Sequence, residues 1–171
     1  MAYCQQRRKF AFSSSTGGVF ICAFNPHCAD LVLLAELSGH QATVVALVWH
    51  PLEDMWVSGA EDGSIRLWRE DGGCCVQDLR APRGITCLCI DQVNGCIIAG
   101  VHDTIRVYDP NSGVQVQSYT GHQDTIRGLI HIPEMEQYVS VSLDGTACMW
   151  KAYHRGNSLR PGSVGDFALT P

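Results

Sequence analysis

Residues 39–68 recur as residues 121–150 with the same internal spacing. A chain that repeats itself at a fixed long period is built from stacked units rather than around one unique core. In both copies a Gly-His pair is followed by Ser, then Asp-Gly, then Trp. His40, Ser58, Asp62 and Trp68 match His122, Ser140, Asp144 and Trp150 at a constant offset of 82.

A weaker copy lies between them. Ile105-Arg106-Val107-Tyr108-Asp109 reads like Ile65-Arg66-Leu67-Trp68-Arg69, which puts Tyr108 40 residues after Trp68 and 42 before Trp150. The period is therefore about 41, within the roughly 40–45 residues of one four-stranded propeller blade.

Each unit reads as short strands. Residues 43–50 are β-branched and aromatic and close at the turn Pro51-Leu52-Glu53-Asp54. Residues 55–59 follow, then the Asp62-Gly63 turn, 64–68, and a fourth strand near 75–79. Asp-Gly between two apolar runs signals a hairpin, because Gly accepts the positive φ of a tight turn. The order returns at 85–90, 96–100, 104–108 and 114–119, and begins again at 125–131, 138–142 and 146–150. No stretch sustains a helical period, so the expected class is all-β. Residues 8–36 supply the last three strands of an earlier unit (9–12, 19–24, 31–37), with its first strand absent. The repeat region then spans 1–152, with full units at about 37–79, 80–119 and 120–151, and 153–171 is expected to be a disordered tail.

Composition narrows the function. Of 171 residues, 46% are hydrophobic and 17% charged, which fits a packed chain. A net charge of −5, with Arg7-Arg8-Lys9 as the one basic run, gives no footprint for nucleic acid or an anionic membrane. No segment reaches the ~18 apolar residues that a membrane span needs, and the N-terminus lacks the apolar core of a signal peptide. The expected compartment is the cytoplasm or nucleus, where nine cysteines stay reduced thiols. Cys87 and Cys89 share one face of a strand, as interior residues do. Cys22, His27 and Cys28 come closest to a metal cluster, but no second pair completes four ligands. No cofactor is expected.

His, Ser and Asp are also the parts of a nucleophilic triad. Catalysis needs one well-placed set, whereas this set recurs with a Trp appended, and neither Ser sits in a strand-to-helix elbow. A buried indole N–H needs an acceptor, and His, Ser and Asp can relay from it to the backbone of a turn. The set is read as a structural network, and the catalytic set as none.

Gly39-His40 through Asp62-Gly63 to Leu67-Trp68, and Gly121-His122 through Asp144-Gly145 to Met149-Trp150, resemble WD repeats of the WD40 β-propeller family. Ile65-Arg66-Leu67-Trp68 and Val48-Trp49-His50-Pro51 add to the resemblance, which covers roughly residues 8–151. The Asp after the terminal aromatic survives only in Tyr108-Asp109. That middle unit also has Pro82 near the Gly-His position, Ala99 for Ser, and Asp103-Thr104 without the turn glycine. His131 stands where the earlier unit has Trp49 and is read as a satisfied interior or edge histidine.

The resemblance implies a non-catalytic scaffold that binds other proteins, with the Gly-His loops and the Asp turns on one face. The candidate contacts are Gln41, Glu61, Arg83, His102, Gln123 and Asp124. A lipid- or nucleic-acid-binding propeller is the weaker alternative. Three recognisable units plus a partial one fall short of most rings of 4–8 blades. The expectation is an incomplete ring, which self-associates through open blade edges or is a shortened form of a larger protein docking to its remainder.

Overall fold

The computed structural model describes residues 1–25, 30–69 and 73–154. The expected disordered tail lies outside them, apart from Tyr153 and His154. The strands form four antiparallel sheets in chain order. The first holds β1 (Ala2–Cys4), β2 (Lys9–Ser13), β3 (Val19–Asn25) and β4 (Asp30–Leu37); the second β5 (Val44–His50), β6 (Met55–Ala60), β7 (Ser64–Trp68) and β8 (Cys75–Arg80). The third holds β9 (Ile85–Ile90), β10 (Ile97–Val101), β11 (Thr104–Tyr108) and β12 (Gln115–Thr120); the fourth β13 (Ile126–Ile132), β14 (Gln137–Ser142) and β15 (Ala147–Lys151). Among the described residues the chain is all-β apart from one 3-10 turn, Pro133–Met135.

The sheets stack through their inner strands, β1 beside β5, β5 beside β9, and β9 beside β13. The sequence of β6 shows why. All six of its residues are buried, because side chains alternate across a strand and both faces of this sheet are covered. Trp56 and Ala60 point back into a cluster with Ala11, Ile21 and Leu37 of the first sheet. Met55 and Val57 point forward into a cluster with Ile85, Leu88 and Ile97 of the third. A third cluster joins Ile98, Ile105 and Val107 to Ile126, Tyr138 and Trp150. Each buried apolar side chain of this size contributes roughly 1.5–3 kcal/mol, so the sheet-to-sheet clusters hold the stack together.

Contrary to the expectation from sequence, the N-terminal unit has a first strand: Ala2–Cys4 pairs with β2, Tyr3 opposite Phe10. Three residues with a single buried one, Cys4, leave no apolar run to read.

The middle unit solves its missing glycine with a shorter turn. In the second and fourth sheets the turn residues Gly63 and Gly145 have φ of 78° and 82°. In the third, Val101 pairs directly with Thr104, and His102 takes the left-handed backbone at φ 58°. Histidine visits that region more readily than most residues, at a cost of about 1–2 kcal/mol.

Candidate functional site

Trp68 ends β7 with its ring buried and its indole N–H donating to Ser58 Oγ at 2.7 Å. Ser58 Oγ is 2.6 Å from His40 Nε2, and His40 Nδ1 is 2.6 Å from Ser64 Oγ. The Ser64 hydroxyl donates to Asp62 Oδ1, and Asp62 Oδ2 accepts the Gln41 amide at 3.0 Å. Because the Asp62 carboxylate can only accept and the indole can only donate, the directions run one way: Trp68 to Ser58, Ser58 to His40 Nε2, His40 Nδ1–H to Ser64, and Ser64 to Asp62.

The fourth sheet repeats the arrangement with a shorter link. Trp150 donates to Ser140 Oγ at 2.8 Å, which lies 2.7 Å from His122 Nε2. Here His122 Nδ1 reaches Asp144 Oδ2 directly at 2.9 Å, and Thr146 Oγ1 donates to Asp144 Oδ1 at 2.6 Å. Gln123 N–H donates to Asp144 Oδ2 at 2.9 Å, so each carboxylate ties the Gly-His loop to the Asp turn. Ser64 and Thr146 complete the two networks, and both follow an Asp-Gly pair in the sequence.

The electrostatics follow the burial. Burial, helped by the nearby Arg66 guanidinium, lowers His40 from 6.5 to about 4 and keeps the ring neutral. Burial alone would raise Asp62, but hydrogen bonds from the Ser64 hydroxyl and the Gln41 and Ser64 amides overcome it and hold the carboxyl down at about 2. At Asp144 the Thr146 hydroxyl leads, with the Gln123 and Thr146 amides, in holding the carboxyl below the usual range. Ser58 and Ser140 are fully buried, each with its Oγ already taking an indole N–H, so neither hydroxyl faces a substrate.

His131 is buried at the junction of the third and fourth sheets, its Nδ1 accepting the Gln92 amide at 3.0 Å. Beside it the Tyr138 hydroxyl donates to the buried Asp91 at 2.7 Å. Cys87 and Cys89 pack against the same cluster, and burial raises both thiols, Cys89 to about 11. Cys22 is buried in β3, while His27 and Cys28 lie outside the described residues.

The loops at the Gly-His end are held by backbone bonds, two that extend the second and fourth sheets and one that joins the third sheet to the fourth. Ala81 N–H donates to Gly63 O at 2.8 Å, Ile126 N–H to His102 O at 2.7 Å, and Leu143 N–H to Thr125 O at 2.9 Å. They frame a depression of about 340 Å³ that opens between the second, third and fourth sheets. Of the six contacts expected from the sequence, Glu61, Arg83 and His102 line it, together with Thr86, Thr125 and Arg127. Gln41, Gln123 and Asp124 sit outside it, in the loops that the two carboxylates tie down; Asp124 caps Thr125 N–H at 2.6 Å. Sequence reasoning passes over Arg127, though Val45, Thr86 and Arg127 share the depression at steps of 41, the repeat period itself. Among the described residues neither the Arg83 nor the Arg127 guanidinium has a hydrogen-bonding or ion-pair partner. Two such groups share one hollow with the Glu61 carboxylate, a charged lining that suits a polar side chain better than an apolar ligand.

Comparison with known families decides the lineage. The WD domain, G-beta repeat model matches residues 31–69 and 113–151. This is a WD40-repeat chain. Known relatives agree. A Caenorhabditis briggsae ribosome biogenesis protein WDR12 homolog is 32% identical over 139 residues, covering 75% of this chain and 30% of that protein. Elongator complex protein 2 of Schizosaccharomyces pombe is 24% identical over 75% of this chain and 20% of its own length. Human Striatin-3 is 28% identical over 67% of this chain and 17% of its own. The WD40-repeat chain thus spans less than a third of the length of each of these relatives. No helix among the described residues is long and apolar enough to cross a membrane.

Proposed function

We propose that this WD-repeat chain is a non-catalytic scaffold that docks other proteins through the loop face holding Arg83, His102 and Arg127. The observation that carries this reading is the pair of unpartnered guanidinia over one depression on a rigid sheet frame. Binding residues concentrate on loops held by such a frame. The His-Ser-Asp-Trp sets serve the frame: they fix the loops that surround the hollow and do no chemistry. The working compartment is the cytoplasm or nucleus, where the thiols stay reduced. Alanine at Glu61, Arg83, His102 and Arg127 together should weaken co-purification of partners while the circular dichroism and melting transition stay in place. Unfolding of this variant, or unchanged capture, would count against the surface.

A second reading is that the units dock to the remainder of a larger WD-repeat protein. The apolar side chains exposed on the outer faces of the first and fourth sheets favour it, and they equally favour self-association.

A further inference from the structure

The depression between the second, third and fourth sheets is lined from positions that repeat along the chain. Val45, Thr86 and Arg127 stand 41 residues apart on the inner strands β5, β9 and β13, and Glu61 and His102 stand 41 apart at the turns after β6 and β10. A position that the frame needs keeps its residue between units, as His40 and His122 or Ser58 and Ser140 do. The lining positions change instead, from Val to Thr to Arg and from Glu to His, so the frame does not dictate them. Their chemistry is left for whatever enters the depression.

Backbone groups of the rim are already used. Glu61 N–H donates to Thr43 O at 3.0 Å, and the His102 and Thr125 carbonyls accept from Ile126 and Leu143. Recognition therefore falls to side chains. Val45 and the buried Ile85 supply apolar wall among them, and such a wall strengthens the attraction between charges by lowering the local dielectric.

The charges do not cancel. Arg83 and Arg127 bring two guanidinia and Glu61 one carboxylate, and among the described residues none of the three side chains has a hydrogen-bonding or ion-pair partner. Two guanidinia against one carboxylate leave a single positive charge. His102 Nδ1 lies 3.5 Å from Asp103, so a proton on that ring is answered locally. A single positive charge matches one carboxylate. A phosphoryl group, at about −1.5 to −2, would face Glu61 with charge in excess. A polyanion is repelled further out, because the chain as a whole carries −5.

We propose that the depression takes the carboxylate of an isolated Asp or Glu side chain on a segment of a partner protein, held by the Arg83 and Arg127 guanidinia, with Glu61 setting the accepted charge at one. The guanidinium fork matches the two oxygens of a carboxylate. This specificity rests on the loop face being the docking surface.

An array of neutral peptides that differ only in one central residue, Glu, Gln, Lys or phosphoserine, probed with the tagged full 171-residue chain, tests it. Glu peptides should be retained, and their Gln and Lys counterparts should bind about tenfold or more weakly, the worth of one hydrogen bond to a charged group. Phosphoserine should bind no better than Glu. In Glu61→Gln that order should reverse, with phosphoserine ahead. Arg83→Gln/Arg127→Gln should retain neither peptide with its circular dichroism unchanged, and either substitution alone replaces the pair if the sheet signal falls. An array without preference for Glu, phosphoserine ahead of Glu in the wild type, an order unmoved by Glu61→Gln, or Glu binding that survives loss of the guanidinia would overturn the proposal. Any of these results beside lost partner capture in Arg83→Glu/Arg127→Glu leaves the docking surface standing, whereas unchanged capture in that variant removes the surface itself.

Discussion

Trp68 and Ser58 lie across two adjacent strands, and their 2.7 Å hydrogen bond holds a fully buried serine hydroxyl that is also 2.6 Å from His40 Nε2. Ser58→Ala would strand a buried indole N–H and His40 Nε2 together. A buried polar group left unpaired costs about 1–3 kcal/mol, so the urea midpoint should fall by a corresponding amount with no change in slope. Ser140→Ala should do the same through Trp150 and His122.

Acid should weaken the fold through His40. Its neutral form is favoured when folded, at about 4, against 6.5 when unfolded. The unfolded chain therefore takes up a proton that the folded one refuses, so this contribution is complete above pH 6.5 and is lost as pH falls from 6.5 to about 4. The full span is of order 3 kcal/mol, since each pH unit between the two values is worth about 1.4 kcal/mol. Asp62 adds a second loss lower down, from its ordinary 3.8 towards about 2. Stability measured by urea titration across this range should slope downward, and in His40→Asn the slope between 6.5 and 4 should flatten by the uptake of about one proton.

His102→Gly should raise stability. Left-handed backbone costs a non-glycine residue about 1–2 kcal/mol, and the added chain entropy of glycine offsets roughly 0.5–1 of it. A net gain of about 0.5–1 kcal/mol in thermal unfolding is expected, with partner capture reduced because the imidazole leaves the depression.

Gly59→Ala should destabilise, since its Cβ would lie 2.7 Å from Ile85 and 3.0 Å from Leu88 of the following sheet. Overpacking of this kind costs about 1–3 kcal/mol. Denaturant unfolding of this variant should show a lower midpoint with an unchanged slope, and an unchanged midpoint would show that Ile85 and Leu88 of the third sheet give way.

The strands were legible because two periods coincide, alternation within each strand and about 41 residues between units. β1 was not, because a three-residue strand with a single buried residue has no pattern to detect. The relay through Ser64 escaped for a different reason. A hydroxyl residue after a tight turn is common, and only the spacing of 2.6 Å to His40 shows that it stands between the ring and Asp62. Arg83 and Arg127 come together because the 81–84 loop folds over the Asp62-Gly63 turn, a tertiary event that a strand pattern does not encode. His102 in a left-handed turn follows from a one-residue shortening whose consequence appears only when Val101 is paired with Thr104.

The proposed docking of partner proteins rests on the Arg83 and Arg127 guanidinia over one depression. Quantitative co-purification with tagged wild type and the Arg83→Glu/Arg127→Glu variant, both checked for an unchanged melting transition, tests it most directly. The expected result is that the variant stays folded and loses the specific partners of the wild type. A folded variant that captures the same partners in the same amounts would contradict it.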